Sequence, residues 1–244
     1  MSIRISTDYL YSGSLELINM ALELDHLFTF TSAAAREVEQ LLKFGLSEGE
    51  PNTHPGQGTA CRRFFFHNAY LEFVWVHDEQ EAANEWVRPL GFVERCRYQL
   101  TGASPFGLIF RPSWGTVEPV ELPFAAWALR PPYLPEPLKL DVAENSTETI
   151  EPLLFYMSFG RRSDAYPGER RQPLEHAAGF KEITGLRITL PREKSYSKTL
   201  QATERLGLAS FSSGPSHLAE VSFHARKQGR VKDFRPELPL LFRW

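Results

Sequence analysis

The chain has little cysteine, almost no excess charge and no long apolar run, and each shortage removes a class of function. Its 244 residues hold two cysteines, Cys61 and Cys96. That is too few for a disulfide framework, and the pair has no metal-type spacing, so a reducing, cytoplasmic setting is expected. A formal net charge of -3 supplies no basic field for nucleic acid. The richest apolar window, Pro123 to Leu129, is far short of the roughly 20 residues a spanning helix needs, so no membrane role is expected. The opening residues mix Ser, Asp and Glu with apolar positions and do not read as a secretory signal. No GxGxxG turn, P-loop lysine or GxSxG elbow occurs, which removes the usual marks of nucleotide binding and α/β-hydrolase chemistry.

What remains is the composition of a globular chain, 42% hydrophobic and 23% charged, long enough for one large domain or two fused units. After a weakly patterned leader over residues 1–21, helical or frayed, Leu24, His26, Phe28 and Phe30 alternate with Asp25, Leu27, Thr29 and Thr31, the period of a strand. Ser32 is positioned to cap a helix over Ala33 to Phe44, which Gly45 stops. Arg62 to His67 and Tyr70 to Val76 are joined at Asn68-Ala69, which predicts a tight hairpin. A short helix is expected from Asp78 to Glu85. Residues 93–179 read as connecting strands (Arg97 to Thr101, Phe106 to Arg111, Pro123 to Leu129, Leu153 to Phe159) and loops. Pro131-Pro132 and Pro135 to Pro137 hold extended chain between them. The loop carrying Arg161-Arg162 and Arg170-Arg171 reads as a solvated segment or, less simply, as an acid or phosphate site.

A strand then restarts at Ile183 to Leu190, a helix follows from about Ser195 to Leu206, and the chain closes on Leu238 to Trp244. The order echoes the first unit. Phe44-Gly45-Leu46 matches Leu206-Gly207-Leu208, and Phe66-His67 matches Phe223-His224. The polar groups do not repeat: where the first unit has His26 and Glu72 mid-strand, the matching places read Gly185 and Leu241.

On Leu24-Asp25-His26-Leu27, Asn52 to Thr59, Arg63 to Asn68 and Leu71 to Trp75, with later blocks at Ser104 to Gly107, Arg130 to Tyr133 and Ile183 to Ile188, the chain resembles the glyoxalase-like domain proteins of the vicinal oxygen chelate superfamily. The resemblance spans about residues 24–244. It implies an α+β fold of two βαβββ-type modules (glyoxalase/bleomycin-resistance/dioxygenase-like), here at 22–92 and 180–244, enclosing a cavity, with extra strands and loops between them. It also implies a small oxygenated organic ligand, lyase, isomerase or dioxygenase chemistry, and one divalent ion (Zn, Fe, Mn or Ni) held by His26 and Glu72, with the second module's ligands missing at Gly185 and Leu241. A monomer or a homodimer would serve equally.

From the residues alone, three readings of His26 and Glu72 stand side by side. They hold a metal, with His67, His224 or His54 as a third ligand. They form a catalytic acid/base pair, burial raising the Glu72 pKa. Or Glu72 merely accepts hydrogen bonds from Arg63 or His26 and pins two strands. His54, Arg63, His67 and His224 are the candidate ligand-binding residues. The His54 to Thr59 loop brings backbone close to a ligand or simply turns the chain. Cys61 reads as plain core, and Phe64-Phe65-Phe66 with Trp75 as sheet core and cavity wall. The alternative function is a metal-free protein that sequesters a small molecule in an aromatic-lined pocket.

Overall fold

The computed structural model describes residues 21–191 and 195–244; the expected leader lies outside them save its last residue. Among the described residues the chain forms an eight-stranded and a five-stranded sheet with short helices between strands. The larger sheet contains β1 (Leu22–Phe30), β2 (Asn52–His54), β3 (Thr59–Phe65), β4 (Tyr70–Val76), β5 (Phe106–Pro112), β6 (Ala126–Leu129), β7 (Leu140–Ala143) and β8 (Leu153–Tyr156). Its order is β2-β3-β4-β1-β5-β8-β7-β6.

That order is one arrangement used twice. β1 runs parallel to β4, then β3 and β2 follow antiparallel; β5 runs parallel to β8, then β7 and β6 follow antiparallel. β1 and β5 pair antiparallel at the seam. The fold class is therefore α+β with two βαβββ-type strand sets, but the second set lies at residues 106–156, in the stretch expected to hold connecting strands and loops. It has no helix between β5 and β6, which is why the sequence pattern does not announce it.

The expected second module at 180–244 pairs differently. Its strands are β9 (Ile183–Leu190), β10 (Ser210–Ser213), β11 (Leu218–Phe223), β12 (Val231–Asp233) and β13 (Leu240–Arg243). Their order is β10-β9-β11-β13-β12. The terminal strand joins β11 and β12 and not the opening strand of its own unit, so the echo of sequence is not an echo of topology. Gly185 and Leu241 sit in this sheet, Gly185 beside Ser222 and Leu241 between Glu220 and Asp233.

Period-two alternation gives the large sheet two apolar faces. On the outer face Leu27, Phe64, Phe66, Leu71, Phe73, Phe106, Leu108, Phe110 and Leu154 share one buried cluster with Val38 and Leu41 of the first helical segment and with Leu186, Ile188, Val221, Phe223 and Phe242 of the C-terminal unit. The C-terminal sheet thus covers the outer face of the sheet together with the first helical segment. Rings carry much of this contact: Phe180 stacks on Phe223 at 4.1 Å, and Phe66 lies 5.0 Å from Phe223. The inner face holds a second cluster, Phe28, Phe30, Cys61, Val74, Ile109, Leu153 and Phe155, closed over by Val87, Leu90 and Phe92.

Local expectations met mixed outcomes. Gly45 ends the first helix in the left-handed region, φ 103, a conformation that suits a residue without Cβ. Ser32 makes no capping bond, and Ala34 and Ala35 break the expected helix into a 3-10 turn (Ala33–Val38) and a short α-helix (Glu39–Phe44). The segment Tyr98–Thr101, expected as strand, is helical. The helix after Ser197 covers Lys198–Arg205, with the serine hydroxyl accepting from the Leu200 amide.

Candidate functional site

A cavity of about 240 Å³ opens on the inner face between the two strand sets. Four of the residues singled out from sequence line it: His26 on β1, His54 at the end of β2, Arg63 on β3 and Glu72 on β4. The other two do not. His67 faces Asp164 and Glu175 at 3.9 and 3.8 Å on a different surface, because it follows β3 and has turned out of the sheet. His224 lies in a turn of the C-terminal unit with its ring 5.8 Å from Phe180. Neither is available as a third ligand beside His26 and Glu72.

Register explains how the polar groups meet. Arg63 lies beside Glu72, and Glu72 beside Phe28. One row along, Phe65, Tyr70, His26, Ile109 and Phe155 run across five strands. The pairing of β1 with β5 slips by one residue between Leu24 and His26, leaving Asp25 as the extra residue of a β-bulge. The bulge overturns the expected alternation, in which Asp25 points away from His26. Its carboxylate, itself buried, sits 2.7 Å from His26 Nδ1. The same carboxylate stands 3.5 Å from the guanidinium of buried Arg111, which also reaches Glu23 at 2.7 Å.

Fixed at Nδ1, the His26 ring turns Nε2 to Glu72 Oε2 at 3.3 Å and stacks on Tyr70 at 4.1 Å. Burial opposes a charge on this ring, yet the hydrogen bonds and charges of Asp25 and Glu72 outweigh it and raise the pKa to about 9. Burial alone would likewise raise Glu72. The hydrogen bond and charge of His26 overcome it and hold the carboxyl at about 2. The expectation of a Glu72 pKa raised by burial is therefore reversed, and its partner is His26, not Arg63. The Arg63 guanidinium instead donates to the Glu50 and Pro51 carbonyls at 2.9 and 3.4 Å.

His54 approaches the other oxygen. Its Nε2 is 3.9 Å from Glu72 Oε1 and 3.2 Å from the Asn52 amide nitrogen. That nitrogen can only donate, so Nε2 carries the lone pair and Nδ1 the proton, which goes to the Thr59 hydroxyl at 2.9 Å. The Thr59 hydroxyl also accepts from Gln57 at 2.7 Å, and Gln57 accepts from Tyr133 at 2.8 Å. Burial pushes the His54 pKa down, only partly offset by Glu72. Two imidazoles on one carboxylate are thus driven in opposite directions.

Cys61, read from sequence as core, lies with His54 and Glu72 such that one donor atom of each is within 4.8 Å of the others; His26 is not in that group. Burial and then Glu72 push the thiol pKa far up. Asp25, Asn52, Gln57, Tyr70 and Tyr133 also belong to the site. The first needed the bulge to be seen, and the last is 76 residues from its partner Gln57. The second strand set contributes Ile109, Leu129, Leu140 and Phe155, with Met157 and Phe159 beyond it. None of the six can bind a metal as imidazole or carboxylate does. These places, not Gly185 and Leu241, are where the polar set is missing.

Residues 24–113, from β1 to just past β5, match the family model described as a glyoxalase-like domain. No curated protein matches the chain. Among solved structures, one described as a hypothetical protein from Staphylococcus aureus superposes with a TM-score of 0.48 at 10% identity, covering 91% of this chain and 98% of that one. Over residues 24–113 this chain is thus similar to the glyoxalase-like domain family, consistent with the vicinal oxygen chelate superfamily.

Proposed function

We propose that the protein binds a small oxygenated organic molecule in the inner cavity and moves a proton at it, with His26 as the acid and His54 as the base. The observation that carries this reading is the opposed tuning of two histidines that flank the two oxygens of one buried carboxylate. Environments that push the pKa values of neighbouring groups apart are how a site assigns acid and base roles. Glu72, held near 2, is too weak a base to take a carbon-bound proton at neutral pH. Its work is to keep His26 charged and its ring in place, while Thr59 and Asn52 hold His54.

In this reading the ligand's apolar body lies against Phe28, Phe92 and Phe155, which exclude water. Its carbonyl oxygen takes the Nε2 proton of His26, drawn out of the contact with Glu72, and the charge developing on that oxygen is neutralised. The His54 Nε2 lone pair, released by Asn52, accepts a proton from the adjoining carbon. Asp25 holds the His26 ring through Nδ1. No substrate is singled out by these contacts beyond a carbonyl carried on an apolar frame.

Deuterium uptake tests the proposal. The protein is incubated in heavy water with phenylacetone, and exchange next to the carbonyl is followed by proton NMR. Exchange above the buffer rate, lost in His54→Ala and reduced in His26→Gln, is the expected result. Binding without exchange would reduce the protein to a sequestering one, and neither binding nor exchange would remove the reading.

A second reading is favoured by the proximity of His54, Cys61 and Glu72. The lone pair on His54, the ionised carboxylate and a sulfur form a donor set that fits a borderline divalent ion such as zinc. Bound there, the ion would supply Lewis-acid polarisation of a ligand oxygen. Elemental analysis of protein purified without chelator decides: a stoichiometric metal, absent from Cys61→Ala and His54→Ala, supports it. Among the described residues no helix is long and apolar enough to cross a membrane.

A further inference from the structure

Beside the inner cavity lies a second, larger depression of about 560 Å³. The two share Arg63, Met157 and Phe159 as a common wall, so the depression forms a vestibule to the site. Its character is different. The inner chamber is walled by aromatic and aliphatic side chains, whereas the vestibule gathers three guanidinium groups, Arg63, Arg161 and Arg170, against two carboxylates, Glu50 and Glu169.

Some arginines of this chain meet carboxylates, as Arg162 does with Asp164 and Glu182 at 3.2 and 2.6 Å. None of the three vestibule arginines has a carboxylate within ion-pair distance among the described residues, although Glu50 and Glu169 line the same space. Arg63 is held in place without being neutralised. Its Nε and one terminal nitrogen donate to the two backbone carbonyls, and its planar head lies 5.2 Å over the Phe65 ring. One edge of the fork is occupied, and the head still borders both chambers.

The wall carrying Arg161 and Arg170 is also built. Gln172 accepts from the Glu50 amide at 2.9 Å, tying the loop to the strand side, and Tyr166 packs on Phe65 at 6.2 Å. A loop anchored at both places keeps the backbone of Arg161 and Arg170 beside the depression.

From this arrangement we propose that the ligand is an amphipathic organic acid, its apolar body in the inner chamber and its carboxylate at Arg63, with Arg161 and Arg170 drawing it in. The inference rests on the inner cavity being a ligand site and adds the anionic group that the proton-transfer reading leaves open. A planar guanidinium matches a carboxylate with two parallel hydrogen bonds. The free cations of the mouth raise the local concentration of anions.

Matched probes separate this inference from the cavity reading itself. Phenylbutanoate and phenylhexanoate are compared with their primary amides, which have the same shape and no charge, by thermal shift and isothermal titration. The expected result is that the acid binds the parent protein at least about tenfold more tightly than the amide, the size of one charge-assisted hydrogen bond. In Arg63→Met the gap between acid and amide closes. The Arg161→Met/Arg170→Met double variant, whose positions are exposed, narrows the gap and its salt dependence, and it carries the test if Arg63→Met does not fold. Acid and amide binding equally to the parent overturns the anion subsite and leaves the cavity reading intact. A gap that survives both variants overturns it as well. Binding of neither probe overturns the inference together with the cavity on which it rests.

Discussion

The two halves of the eight-stranded sheet share strand order and sense but not chemistry. Reading across one row from the first half to the second, Arg63, Glu72 and Phe28 give way to Gly107 and Leu153; in the next row Tyr70 and His26 give way to Ile109 and Phe155. The β1–β4 half carries the carboxylate, imidazole and guanidinium groups of the inner cavity, and the β5–β8 half, Tyr133 apart, is its apolar wall. A cavity made by near-copies therefore need not be symmetric. One half concentrates charge that is costly to bury, and the other keeps water away, which strengthens the electrostatics of the first.

The sharpest way to break this contrast is to put charge into the quiet half. Phe155→Glu buries a carboxylate with no partner, and a loss of about 3–5 kcal/mol is expected in urea denaturation at neutral pH; an unchanged midpoint would mean that the wall is not dry. Removing charge from the active half comes next. Glu72→Leu leaves the His26 imidazolium without one of its two carboxylates, with an expected loss of about 3 kcal/mol at pH 6, shrinking as the ring deprotonates at higher pH.

The parent should show the matching pH dependence. Because the folded His26 pKa is raised from 6.5 to about 9, its contribution is fully present below pH 6.5 and fades as pH rises through 9. The Glu72 pKa is lowered from 4.5 to about 2, so its contribution is full above pH 4.5 and fades as pH falls through 2. Both shifts describe one shared interaction, worth on the order of a few kcal/mol, and stability from it peaks between pH 4.5 and 6.5. Asp25→Asn should flatten the alkaline limb; a limb of unchanged slope would remove Asp25 from the tuning.

The smallest effect is expected at the seam. A Cβ on Gly107 would meet the Phe28 ring at 1.9 Å, so Gly107→Ala must displace that ring from the cavity floor. A loss of about 1–3 kcal/mol is expected, with weaker binding of apolar probes. Phe28→Leu in the same background should recover part of it.

Sequence showed the first half well because each part carries a local signal. Gly45 marks a helix stop, Asn68-Ala69 a tight turn, and the alternation around His26 and Glu72 two strands facing one way. The second half has no such marks. Its connection from β5 to β6 is a loop, and β7 is four residues long, so only long-range pairing reveals it. The C-terminal unit does have local marks resembling the first, Gly207 after a helix among them, yet its strands pair in a different order. Local pattern specifies an element but not its neighbour across the sheet. For the site, residue type picked out His26, His54, Arg63 and Glu72. It could not show that Cys61 faces the cavity side, or that His67 and His224 do not.

The extra residue in β1 has a consequence for how the strand can be edited. Positions before Asp25 and positions after it obey opposite phases of the pleat, so trimming the strand there by one amino acid restores a regular ribbon and keeps the hydropathy profile nearly intact. Such a shortened chain would pass every test based on apolar pattern and still lose the oxygen that anchors the imidazole. The difference between an anchored and an unanchored imidazole in this scaffold can thus reside in strand length, with no cavity side chain exchanged.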